Sequence, residues 1–196
     1  MKGRTPSRPE NIDQKMSLHY YSRMSIIRDL LPILSPTALI LSVLDGKRSD
    51  INERGIKWTD LDLAQPGNYG LSSAASHCLA MTDATLQSFA HRSPGDGRTF
   101  IHAYPGIVST GIFNKNLPFY LKYPMAAVSS LMTVTPETCA GYMVDGSMAA
   151  HEVTKKEGKG RRVNLDDKGR VVDKLSATEE QMDKVWEHTW AVVDGQ

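Results

Sequence analysis

Two short stretches carry side chains with chemistry to offer. In NYGLSSAASH (68–77) Tyr69 stands just before a helix, with Ser73 four residues on and His77 two turns along. In FIHAYPGIVSTGIF (100–113) a strand end runs into a sharp Pro105-Gly106 turn and a small, polar loop. A phenol beside a cation has its pKa lowered and works as an acid–base catalyst; a phenol without one keeps a pKa of about 10 and stays protonated at pH 7. The sequence places no cation at helical spacing from Tyr69. Its expected role is therefore to donate a hydrogen bond to a carbonyl oxygen, and it should be a weak general base. His77 is a nearby group that could share proton transfer. The alternative reading of His77 is a packed or surface histidine with no chemical role.

Other arrangements fail on their spacing. Gly95-Asp96-Gly97 leads into a strand rather than a helix, which rules out a dinucleotide fingerprint. Gly106 and Gly111 have P-loop spacing, but Ile112-Phe113 stands where Lys-Ser/Thr is required. His151-Glu152 opens a zinc-binding pattern whose second histidine is replaced by Lys155, so no metal site is expected. No G-x-S-x-G elbow is present. The basic run KKEGKGRR (155–162) has no interleaved aromatics; it reads as a solvated loop or a contact for an anionic partner, not a nucleic-acid surface.

The bulk properties are those of one soluble, globular domain over 1–196. The chain is 40% hydrophobic with a formal net charge of +1, which gives no general attraction to polyanions. Two cysteines, Cys78 and Cys139, make no disulfide framework and suit a reducing, cytoplasmic compartment. Neither apolar stretch, 30–44 or 117–134, is long and clean enough to span a bilayer.

Several elements must position these residues. Tyr20, Met24, Ile27, Leu31 and Leu34 form one face of a helix over 17–34, loosened at its end by Pro32. The run ALILSVL (38–44) suits a buried parallel strand ended by Asp45-Gly46, and 46–68 reads as a long loop. A helix covers about 71–91, a second strand 99–104, and a helix opened by Thr135-Pro136 runs to about 150. A hairpin turns at 167–170. The last helix starts at Ser176, with Glu179 completing a capping box, and carries the stripe Met182, Val185, Trp186, Thr189, Trp190 and Val193. The order of elements is α/β with parallel strands.

In this order the segments LHYYSRMSIIRDLLPIL, ALILSVLDG, NYGLSSAASHCLAMTDATL and FIHAYPGIVSTGIF resemble the C-terminal half of a short-chain dehydrogenase/reductase of the fungal retinol-dehydrogenase-like branch. The resemblance covers about residues 15–150. It implies a partial Rossmann-like (doubly wound) fold holding the family's fifth to seventh parallel strands with flanking helices, then the C-terminal hairpin and helix. It also implies an N-terminally truncated domain, with 1–15 as loop or disordered, no glycine-rich turn, and 112–134 as a substrate lid.

The family's Asn-Ser-Tyr-Lys tetrad maps onto His19, Asp45 (with Ser42 three residues earlier), Tyr69 and Ser73. The implied catalytic residues are Tyr69, Ser42 and His77; the implied nicotinamide-side residues are Tyr104, Pro105, Gly106, Val108 and Thr110, with Ser109 beside them. The implied cofactor is NADP or NAD, or none in this chain. The implied substrate is a small ketone or alcohol, in fungal secondary metabolism. Helices 17–34 and 71–90 are implied to form a homodimer or to pair with a full-length relative. Two other readings are a non-catalytic partner protein and a cofactor-free isomerase or cyclase using His77 or Asp45.

Overall fold

The protein is described by a computed structural model over residues 12–52, 55–93, 95–110 and 133–195. The expected lid, 112–134, lies outside the described residues except for its last two. Helical structure begins earlier than the sequence suggests. Asp13 caps α1 (Gln14–Met16), accepting from the backbone N–H of Lys15 and Met16 at 3.0 and 3.3 Å. The cap answers donors that a helix start leaves open. The chain then passes through a π-helical turn, Ser17–Tyr21, into α2 (Ser22–Leu30). Pro32 tightens the end into a 3₁₀ turn, Leu31–Ile33.

Strand β1 (Leu39–Val43), α3 (Leu71–His91), β2 (Thr99–Ala103), α4 (Pro136–Glu157), β3 (Arg161–Leu165), β4 (Val171–Val172) and α5 (Glu179–Val193) follow. Helix α4 is capped by Thr135 and runs a further turn and more past residue 150, to Gly158 in the left-handed conformation. The cap of α5 differs from the sequence expectation: Thr178 and Gln181 form the box, not Ser176 and Glu179. A Ser or Thr with an acid or amide three residues on occurs twice here, two residues apart, and only the pair at the true first turn has free N–H groups to satisfy.

The sheet order is β1-β2-β3-β4, parallel except for the last pair. It is an open, mostly parallel sheet with helices on both faces, compatible with a partial Rossmann-like fold. Side chains alternate across it. Phe100 faces the core built from α2, α3 and α5, while Ile101, Ala103, Val163 and Leu165 pack with Cys139, Met143 and Ala150 of α4.

Strand β2 is wholly buried; β1 is not. Leu41 and Val43 are 37% and 38% exposed. The Leu44 N–H donates to Ala103 and the Ala38 carbonyl accepts from Thr99, so Leu39, Leu41 and Val43 turn their backbone groups away from β2. Among the described residues no strand pairs that side. Arg23 covers the Val43 carbonyl at 2.8 Å, a charged cover of the kind that blunts a sheet edge.

Candidate functional site

The loops that leave β1, β2 and β3 gather at the carboxyl ends of the parallel strands, where open α/β sheets bind ligands. Lys47, after β1, pairs with Asp167, after β3, at 2.7 Å. Lys47 and Arg48 lie over the Tyr104 ring, at 5.8 and 5.4 Å from its centre. Gly106 has φ +72, and a Cβ there would come within 2.9 Å of the Asp167 side chain; this is why the turn after β2 needs glycine.

The expected cofactor-side residues thus sit on one pinned turn. Tyr104 holds its N–H on Leu165, the Pro105 carbonyl accepts from Cys139 Sγ at 3.4 Å, and Val108 pairs with Val134. Ser109 donates its N–H to Val134, and Thr110 and Ser109 are exposed.

Tyr69 is presented by the loop 57–69 at the start of α3. Asp60 is the hub of that loop: it accepts from the N–H of Ala64 and Gln65 and from Asn68 Nδ2 at 2.7 Å. Burial pushes its carboxyl up, and these bonds outweigh it, leaving its pKa below the usual carboxylate value. Ser73, at the position implied for a lysine, donates to the carbonyls of Asn68 and Gly70 at 3.0 Å.

A cation does stand beside Tyr69, against the sequence expectation. It is Lys15, whose Nζ donates to the Tyr69 hydroxyl at 3.3 Å and lies 5.9 Å from the ring centre. The Asp13 carboxylate also bonds the phenol. Burial raises the Tyr69 pKa, Lys15 lowers it, Asp13 raises it, and the balance stays above the ordinary tyrosine value. The phenol is therefore protonated at neutral pH, as expected, although the cause is burial and Asp13 outweighing a cation that is present rather than the absence of one.

Next to Lys15 a pocket of about 330 Å³ opens between α1, the end of β1 and the start of α3. Its polar residues are Lys15, His19 and Asp45; Leu44, Leu71, Ala74 and Leu79 are among its apolar ones. The two positions matched to the family's Asn and Ser, His19 and Asp45, thus meet across one cavity beside Tyr69's partner. Asp45 accepts from the Arg48 N–H at 3.1 Å and lies 3.5 Å from its guanidinium.

The other two expected catalytic residues are placed elsewhere. His77 is 1% exposed; its Nε2 accepts from the Lys57 N–H at 2.8 Å, and Nδ1 faces the Leu61 carbonyl at 3.3 Å. Both ring nitrogens anchor the 57–61 loop, and burial lowers the imidazole pKa. Ser42 is buried under Arg23, whose Nη1 is 3.4 Å from its hydroxyl. Neither lines the pocket.

Behind the pocket lies a buried polar cluster. Asp83, on α3, is fully buried against His102, which is also fully buried, with Oδ1 2.7 Å from His102 Nδ1. His102 Nε2 accepts from the Asp45 N–H at 3.4 Å, which assigns the proton to Nδ1. Asn164 Nδ2 bridges both Asp83 oxygens and the Gly46 carbonyl, at 2.9–3.0 Å. Arg162 Nη1 is 2.8 Å from Asp83 Oδ2 but off the N–H direction, so it acts as a charge rather than a directed donor. Burial pushes the Asp83 pKa up; the His102 bond and the Arg162 charge outweigh it and hold it below the ordinary value. A Cβ on Gly46 would fall 1.9 Å from the His102 carbonyl. The cluster therefore clamps the turn that carries Asp45.

Among the described residues no group of three or more metal-binding side chains occurs, and no helix is long and apolar enough to cross a membrane.

No family model matches the chain. It is 38% identical over 111 residues to oxidoreductase AN1596 of Emericella nidulans, covering 56% of this chain and 31% of that protein. It is 36% identical over 112 residues to the NmrA-like family domain-containing oxidoreductase notO of an Aspergillus species, covering 56% and 32%. With oxidoreductase lepF of Aspergillus flavus it shares 31% over 117 residues, 53% and 31%. The chain's relatives are fungal oxidoreductases. It spans about a third of the length of these curated relatives.

Proposed function

We propose that this chain belongs to a cytoplasmic oxidoreductase of the short-chain dehydrogenase/reductase type, retinol-dehydrogenase-like branch. It would interconvert a ketone and an alcohol with NADP or NAD in fungal secondary metabolism. The observation that carries the reading is the protonated Tyr69 phenol held between Lys15 and Asp13 beside a mostly apolar pocket at the carboxyl ends of parallel strands. A nicotinamide cofactor, when bound along the Tyr104–Thr110 turn, would supply the hydride that reduces the substrate carbonyl. Tyr69 hands its proton to the forming alkoxide, and Lys15 steadies the phenolate that remains. The pinned turn from Tyr104 to Thr110 forms the cofactor side, and the relatives' printed oxidoreductase names agree with nucleotide-cofactor use.

The test is NADPH binding, followed by quench of the cofactor's fluorescence, and NADPH oxidation with a panel of ketones. Tyr69→Phe should leave binding intact and slow turnover by about 10²–10⁴-fold. An absence of both NADPH binding and oxidation in the parent chain would end the reading.

A second reading, pairing through helices 17–34 and 71–90 with another copy or a longer relative, is favoured by one observation. Leu18, Ile26, Leu30 and Ile33 form an exposed apolar stripe, 44–79% exposed, on the side of the helix away from Tyr20 and Met24. Sedimentation of the chain at micromolar concentration, alone and mixed with a full-length relative, decides it; a monomer in both cases removes it.

A further inference from the structure

The pocket's charge says more about its ligand than the hydride chemistry does. We infer that it takes an apolar molecule ending in an acidic oxygen, a carboxylate or an acidic enol, with the Lys15 ammonium as counter-charge. The inference takes from the oxidoreductase reading only the location of the substrate pocket. It needs no nicotinamide.

The residues divide by type. The floor along α3 and the end of β1 is aliphatic and small, and the cavity of about 330 Å³ is of a size for a small organic molecule. The polar side is α1 and the π-helical turn after it, which present the Lys15 ammonium and the His19 ring to the same cavity. An ammonium has three N–H donors, and Lys15 spends one on Tyr69. The pocket's own acid, Asp45, is committed to Arg48 through both its backbone and its guanidinium. The buried Asp13 carboxylate is bonded to the Tyr69 hydroxyl, so a ligand anion entering here meets an ammonium with donors to spare and carboxylates already engaged elsewhere. The Tyr69 hydroxyl, held against Lys15, supplies a further polar group at the same end.

The experiment is calorimetric titration of the 196-residue chain with octanoate and with 1-octanol at pH 8, without cofactor. The same titrations are run on Lys15→Met, Lys15→Arg and Ala75→Trp. Ala75 lines the pocket and is exposed on α3, so the indole fills the cavity without entering the core. Octanoate should bind at least tenfold more tightly than octanol in the parent chain. Lys15→Met should remove that preference, Lys15→Arg should keep it, and Ala75→Trp should abolish binding of both. Equal binding of the two probes, no binding of either, a preference that survives Lys15→Met, or octanoate binding untouched by Ala75→Trp would each overturn the inference. NADPH binding on the same samples reports separately on the oxidoreductase reading, so the two can fail independently.

Discussion

Two polar clusters meet α3 less than four turns apart, and they are built on opposite plans. Around Asp83 every partner is inside the protein: His102, Asn164 and Arg162 close on one carboxylate, and His102 spends its second nitrogen on the Asp45 backbone. Around Tyr69 one partner, Asp13, is buried, but the other, Lys15, is half-exposed, borders a cavity and keeps donors to spare. Both contain a carboxylate beside a group able to move a proton. Only the second leaves bonding capacity for a ligand: a cavity of about 340 Å³ also borders Asp83, but the carboxylate there is already engaged by His102, Asn164 and Arg162. A buried network that is fully satisfied rigidifies the fold, while one with spare capacity at a cavity can act on something else. The Asp83–His102 pair looks like a catalytic dyad in isolation; its context makes it a clamp on the turn that carries Asp45.

That contrast is best broken at Asp83, where the largest effect is expected. Asp83→Ala leaves His102, Asn164 and the Arg162 charge without their acceptor and should lower stability by about 3–5 kcal/mol, read as a lower urea midpoint. A loss under about 1 kcal/mol would mean that the cluster is not the clamp described here.

The pH dependence sharpens the same point. The Asp83 pKa is lowered in the folded protein, so its contribution is present above the unfolded value of about 3.9 and is lost as pH falls through the folded pKa. Asp83→Asn should accordingly flatten the fall of the urea midpoint with pH below about 4. An unchanged acid limb would place the responsible carboxylate elsewhere.

The smallest effect belongs to the open cluster. Tyr69→Phe and Lys15→Met should each change stability by less than about 1 kcal/mol, because a half-exposed contact screened by water contributes little. A large loss at Lys15 would move this cluster, too, into the structural class.

The legibility of these features follows the range of the contacts involved. Helix α3 was readable at both ends, because its small and apolar residues repeat at helical spacing over many turns. The strands at 39–43 and 99–103 were readable as apolar runs bounded by turn residues. The burial of the first was not, since a run of this kind cannot say whether it lies at a sheet's centre or edge. The start of α1 was hidden because one Asp cap in a polar segment looks like any loop residue. His77 had the right residue type near Tyr69, yet the loop it faces is folded back from residues 57–61 and takes both of its nitrogens.

By itself the sequence determined the types of the main strands and helices, the turn at Gly106 and a tyrosine beside a helix start, because local propensity, period and backbone sterics act over a few residues. Only the tertiary structure decided which cation meets that phenol, which acid is buried and satisfied, and where a cavity remains. Lys15 reaches Tyr69 across 54 residues and Asn164 reaches Asp83 across 81. Contacts at that range are set by how the helices pack on the sheet, and no spacing along the chain encodes them.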